Sequence, residues 1–325
     1  HAKGLGEHQP RYFILKLSTL VKIMFGSLKE SLYDSIERGW KSFSEGASVN
    51  RIMSTYLLSY LTSFPESERF QINVDTFLKC LAQPKAPIGS VLILQGGIRH
   101  MDSNTYYVRT ACSFIPSCAR IFLYEKLLPM VNFEFAHDIA ACLDYIRTNF
   151  PGPIVVIGYS MGGVLLYSYL SLGYDQADLY LPVCCPLDLD RFHETICDHT
   201  LFRFLQEKSY ERYQVNDHDE LLELAGSNRT QHQKFVDDFI PGLNRHRGWS
   251  DKTIYIVSTD DPITPDYRHD LAKLNYPPLT YQVQGGWHCC LNSIFLSARL
   301  TGAYLQACHD GEILSPTEIC PHTLF

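Results

Sequence analysis

The sequence predicts an α/β protein: a doubly wound, mostly parallel sheet with a helical cap inserted between two strands. Three observations predict it. From residue 88 onward, short apolar runs alternate with helix-patterned segments. The runs are apolar throughout rather than on alternate residues, as expected of strands covered on both faces. One long polar, helix-patterned stretch, 187–250, interrupts the alternation and is too long for an ordinary connection.

The chain has 325 residues, and its elements follow in order. Residues 1–65 read as an N-terminal helical extension preceding the main domain, 66–325. Leu17, Leu20, Val21, Met24, Leu28, Leu32 and Ile36 recur every three or four residues, the stripe of an amphipathic helix. Arg51 to Phe64 suits a second helix, stopped by Pro65. These helices are expected to pack on the main domain, with peripheral membrane contact as the alternative. Strands are expected at Ser90–Gln95, Ala119–Tyr124, Pro153–Tyr159, Leu179–Cys185, Thr253–Ser258 and Leu279–Val283. Helices are expected at 133–149, 161–172 and 291–308. Strands alternating with helices build right-handed crossover units.

Composition narrows the function. With 28 basic and 35 acidic residues the net charge is −7, and no dense basic cluster offsets it, so nucleic acid is not an expected partner. The 11 cysteines form no CxxC pair, and Cys142, Cys184, Cys185 and Cys289 fall in or beside apolar runs. Buried free thiols in a reducing, intracellular, cytoplasmic setting are the simpler expectation. No segment reaches the length of a membrane span. Neither a GxGxxG nor a Walker pattern is present, so no nucleotide cofactor is expected. His193, Cys197 and His199 lack a fourth ligand at sensible spacing, so no metal is expected.

The stretch Gly158-Tyr159-Ser160-Met161-Gly162-Gly163 sits between a strand-like and a helix-like run. Glycines two before and two after a serine permit a sharp, strained turn that lifts the hydroxyl above the carboxyl edge of the sheet. A serine hydroxyl needs a base, and the base needs an orienting carboxylate. His288 directly follows the last strand and a glycine turn, Gln284-Gly285-Gly286-Trp287. Thr253–Ser258 is followed by Thr259-Asp260-Asp261-Pro262, which offers two carboxylates. Asp261 stands four before Pro265 and is the expected orienting acid, with Asp260 shaping the turn. An oxyanion needs two backbone N–H donors. Met161 follows the serine, and Gly97 lies in the loop after Ser90–Gln95. Gln95, Gly96, Ile98, Trp287 and Asp260 are the candidate pocket residues.

With these motifs on one chain, the sequence is identified as a member of the α/β-hydrolase superfamily. GYSMGG, PVCCPLDL (182–189), KFVDDFIPGL (234–243), TDDPITP (259–265) and GGWH (285–288) resemble one branch of it. That branch holds bacterial YheT-like hydrolases, plant embryogenesis-associated proteins and animal ABHD-type lipases. The chain departs from it at Gln95-Gly96, where His-Gly is usual, and at Trp287, which is inserted before the histidine. The resemblance implies hydrolysis of a small-molecule or lipid ester through an acyl-enzyme on Ser160, or acyl transfer to an alcohol. A non-hydrolytic biosynthetic enzyme and a ligand-binding receptor on the same fold are the alternatives. Chemistry through a covalent carboxylate ester is disfavoured, because Ser rather than Asp holds the nucleophile position.

Overall fold

The computed structural model describes residues 68–96, 108, 111–112, 115–127, 135–189, 207, 210–211, 213–261, 263–284, 288–289, 291–312, 315 and 318–319. The N-terminal helices expected over 11–64 lie outside the described residues. Eight strands form one sheet. They are β1 (Glu68–Gln71), β2 (Thr76–Ala82), β3 (Gly89–Leu94), β4 (Ala119–Lys126), β5 (Ile154–Tyr159), β6 (Leu179–Val183), β7 (Ile254–Ser258) and β8 (Leu279–Val283). Their spatial order is β1-β2-β4-β3-β5-β6-β7-β8. β2 runs antiparallel to both β1 and β4, and the other pairings are parallel. Among the described residues, the helices with defined bounds are α1 (Ala136–Asn149), α2 (Met161–Ser171), α3 (His218–Leu224), α4 (Arg229–Arg245), α5 (Tyr267–Leu271) and α6 (Leu291–His309).

The order contains a switch point. β3 pairs with β4 on one side and with β5 on the other, so the chain steps from β3 to β4 in one direction and from β5 to β6 in the opposite one. Such a reversal between neighbouring parallel strands marks the place, outside their carboxyl ends, where ligands bind in open sheets. β3 and β5 are entirely buried, consistent with their unbroken apolar runs. Alternate side chains serve opposite faces. Leu92, Leu94, Phe122, Ile154 and Val156 pack with α1, α2 and α4, whereas Val91, Ile93, Leu123, Val155 and Ile157 pack with α6. Every residue of α2 is buried, because the helix is covered by the sheet below and by α1 and α4 around it.

The β1–β2 hairpin was not expected from the sequence. Its connection is an Asx turn: Asn73 Oδ1 accepts from the N–H of Asp75 at 3.1 Å and of Thr76 at 2.8 Å. β4 also continues past Tyr124 through Glu125 and Lys126, both buried. Lys126 Nζ lies 3.1 Å from an Asp75 oxygen and 2.5 Å from Asp138 on α1, and 4.6 Å from the centre of the Phe135 ring. Asn73 donates to the other Asp138 oxygen at 2.6 Å. One ammonium thus ties hairpin, strand and helix together. Phe70, Phe122, Tyr145 and Phe150 form an aromatic cluster beside it, with Phe70 and Tyr145 ring centres 5.4 Å apart.

Between β6 and β7, where the cap was expected, α4 docks on α2. Its Phe239 and Leu243 enter the core, and a Cβ on Gly242 would sit 2.7 Å from the Ser171 carbonyl oxygen. The KFVDDFIPGL stretch lies on this helix. Residues 190–206 of the expected cap lie outside the described residues.

Candidate active site

The turn that joins β5 to α2 is built by close backbone approach. A Cβ on Gly162 would sit 2.0 Å from the Leu94 carbonyl oxygen, and one on Gly158 would sit 2.6 Å from the Gly162 carbonyl oxygen. Real Cβ atoms do not approach that closely, so neither position admits a side chain. Ser160, between them, takes φ 51° and ψ −119°, a conformation costly for a residue with a Cβ. It is held by its N–H donating to the Val183 carbonyl at 2.9 Å and by its carbonyl receiving the Gly163 N–H at 2.9 Å.

The strained turn aims the hydroxyl at the loop that follows β8. Ser160 Oγ lies 2.8 Å from His288 Nε2. His288 Nδ1 lies 3.1 and 3.0 Å from the two Asp261 oxygens. A carboxylate has no hydrogen to give, so Nδ1 carries the proton, and Nε2 presents a lone pair to the serine hydroxyl. Asp261 is fixed in turn by the Ile263 N–H, which donates to its Oδ1 at 2.8 Å. The Asp261 side chain is fully buried, and that of His288 is 11% exposed. Burial alone pulls the His288 pKa down. The charge and hydrogen bond of Asp261 outweigh this and hold it above the ordinary value of 6.5.

The structure separates the two adjacent aspartates. Asp261 meets His288, whereas Asp260 is exposed and receives the Ser258 hydroxyl. Gln95 is buried at the end of β3, and Gly96 is half-buried beside Ser160. A Cβ on Gly96 would stand 2.6 Å from Ser160 Cβ and 3.3 Å from Met161 N. As the first residue of α2, Met161 has no carbonyl a turn earlier in the helix to receive its N–H. That N–H borders the gap the glycine leaves open. Gly97, Ile98 and Trp287 lie outside the described residues, as do His193, Cys197 and His199.

Sequence reasoning missed what supports the histidine from below. The Val183 carbonyl that receives the Ser160 N–H also lies 3.6 Å from Cys289 Sγ, one residue past His288. Cys184, at the end of β6, is fully buried alongside. The doublets at Cys184-Cys185 and Cys289-Cys290, each directly after a strand end or the candidate base, were the available signal.

Neither a protein-family model nor a curated protein sequence matches the chain. Solved structures do. A structure described as an arylesterase is similar at 17% identity over 87% of this chain and 98% of that one, with a TM-score of 0.54. Est1E from Butyrivibrio proteoclasticus is similar at 12% identity over 76% of this chain and 100% of its own, with a TM-score of 0.51. The same protein with ferulic acid bound matches at 11% identity over 74% and 98%, with a TM-score of 0.50. The chain has the α/β-hydrolase fold. Within that fold, the serine turn after β5, the acid after β7 and the histidine after β8 converge above the carboxyl edge. No helix among the described residues is long and apolar enough to cross a membrane.

Proposed function

We propose that the protein is a serine hydrolase of carboxylic esters, acting through an acyl-enzyme on Ser160. The observation that carries this reading is the continuous hydrogen-bonded chain from Ser160 Oγ through His288 to buried Asp261. Ser160 attacks the ester carbonyl while His288 Nε2 takes its proton. The same nitrogen returns the proton to the departing alcohol, and water then repeats the sequence on the acyl-enzyme. Asp261 holds the productive tautomer and stabilises the imidazolium. The Met161 N–H, with that of Gly97, is assigned to the oxyanion. An acyl lipid or medium-chain ester is the substrate class that the YheT-like and ABHD-type resemblance favours, with acyl transfer to an alcohol as a variant of the second half-reaction.

The test is labelling with a fluorophosphonate. The wild-type chain is expected to be modified at Ser160, and Ser160→Ala is expected to be unmodified. Equal labelling of both would overturn the reading. Gly96→Ala places a methyl group against Ser160 and the Met161 N–H, and a displacement of this kind slows reaction by roughly 10²-fold. The rate of labelling in a folded Gly96→Ala protein measures it.

The raised pKa of His288 fixes the direction of the pH dependence. Protonated His288 cannot accept the serine proton, so kcat/KM is expected to rise with pH through a limb above 6.5. The sign for stability is the reverse. The protonated His288–Asp261 pair contributes stability that is complete below 6.5 and is lost as pH climbs through the raised value. A pH–rate profile with a small chromogenic ester reads the limb, and a limb below 6.5 contradicts the assignment.

A further inference from the structure

Below the serine turn, a row of hydroxyls crosses a largely apolar interface. Val155, Ile157, Leu181 and Ile256 of the sheet pack with Ile294, Ala298 and Leu305 of α6. On the same helix Ser293, Ser297 and Thr301 are each 0% exposed and fall four residues apart, so they share one face. Hydroxyls buried in this way are costly unless they are bonded. Thr301 bonds within its own helix, donating to the Ser297 carbonyl at 2.8 Å. Ser293 and Ser297 instead meet groups of the sheet. Cys184 Sγ lies 3.6 Å from Ser293 Oγ, and the Tyr159 hydroxyl lies 2.8 Å from Ser297 Oγ.

The direction of the second bond follows from its partners. Ser297 has one hydroxyl proton and gives it to the Ile294 carbonyl at 2.8 Å. A carbonyl only accepts, so the Tyr159 hydroxyl is the donor to Ser297 Oγ. Burial pushes the Tyr159 phenol well above its usual value, so it keeps this proton.

We propose that Tyr159 and Ser297 are positioning residues, whose hydrogen bond sets α6, and with it the His288 ring, against the serine turn. The inference rests on His288 serving as the base for Ser160. Tyr159 directly precedes Ser160, and α6 starts at Leu291, three residues past His288. Ser297 lies less than two turns into that helix. The support on the other side of the His288 loop is weaker, because β8 is the edge strand and none of its residues is buried. Apolar packing is non-directional, so it holds α6 close without fixing how far the helix slides along the sheet. A hydrogen bond between two fully buried groups does fix that register, since it weakens steeply with angle and distance. The demand is strict. Catalytic groups must stay within about 0.5 Å of the productive geometry, and a misplacement of about 1 Å costs roughly 10²-fold in rate. Tyr159, like Ser297, is 0% exposed, so neither side chain touches substrate.

The experiment compares wild type with Tyr159→Phe, Ser297→Ala and the double variant, each checked for folding by thermal unfolding. In either single variant kcat for a small chromogenic ester is expected to fall about tenfold, as for a partial displacement, with KM unchanged. The double variant is expected to lose no more than the worse single one, because all three lack the same bond. Ser297→Thr keeps a hydroxyl and is expected to recover most of what Ser297→Ala loses. A bond that only adds stability would lower the unfolding midpoint and leave kcat of the folded protein where it was. Crystal structures of wild type and Tyr159→Phe supply a readout that needs no turnover. The separation of Ser160 Oγ and His288 Nε2, 2.8 Å in the intact site, is expected to widen by about 0.5 Å or more. Where Tyr159→Phe does not fold, Ser297→Ala carries the same comparisons. Wild-type kcat in a folded variant, a loss confined to KM, or an unchanged separation would each overturn the proposal. A wild-type protein that neither hydrolyses esters nor labels with a fluorophosphonate overturns the hydrolase reading separately, and the crystal comparison still decides what places His288.

Discussion

Asp261→Asn is expected to lower kcat for ester hydrolysis by about 10⁴-fold while leaving the fold intact. The cause is the tautomer. Asp261 receives the Nδ1 hydrogen at 3.0 Å, which leaves Nε2 free to accept the Ser160 proton at 2.8 Å. An asparagine can turn its NH₂ toward Nδ1 instead. The ring then carries its hydrogen on Nε2, which donates to the serine when it should accept. Asn also removes the charge that raises the His288 pKa, so the residual activity should show its acid limb at lower pH than wild type. Steady-state kinetics with a small ester, alongside thermal unfolding, checks both parts. A loss below about tenfold in a folded variant contradicts the role of Asp261.

The second large effect is on stability. Lys126→Met is expected to cost about 3 kcal/mol, because removing one member of a buried ion network leaves its partners uncompensated. Asp75 and Asp138 are 21% and 16% exposed at the side chain, so water relieves part of their charge and the lower end of the usual range applies. Asp138→Asn on the Lys126→Met background removes one stranded charge and should restore part of the loss. Urea unfolding midpoints of the single and double variants make the measurement. Equal stability of wild type and Lys126→Met would show that the network contributes nothing.

That network also marks where sequence reading stopped. The strand at Ala119 is evident as far as Tyr124, but Glu125 and Lys126 look like the start of a polar loop. The structure buries them because opposite charges arrive from elsewhere, Arg69 from β1 and Asp138 from α1, and composition carries no trace of a distant partner. β1 and β2 escaped notice for a related reason. Thr76 to Lys79 alternate between buried and half-buried near the sheet edge, which gives a weaker signal than the unbroken runs of β3 and β5. The serine turn was legible because its requirements are local: glycines where the backbone crowds, a strand before and a helix after. The histidine and the acid were legible by position, each just past a strand. The approach of the Cys289 thiol to the Val183 carbonyl depends on two separate turns and left only a pair of CC doublets to see.

The bond between Ser160 and His288 spans 128 residues of chain. Its two ends belong to β5 at the middle of the sheet and to the loop after β8 at its far edge. Contacts so distant in sequence form late, because the loop-closure entropy must be met before they contribute. No fragment that stops short of β8 holds a working pair. A reactive serine therefore certifies that the far edge of the sheet has docked, and its return after dilution from denaturant times the last stage of folding.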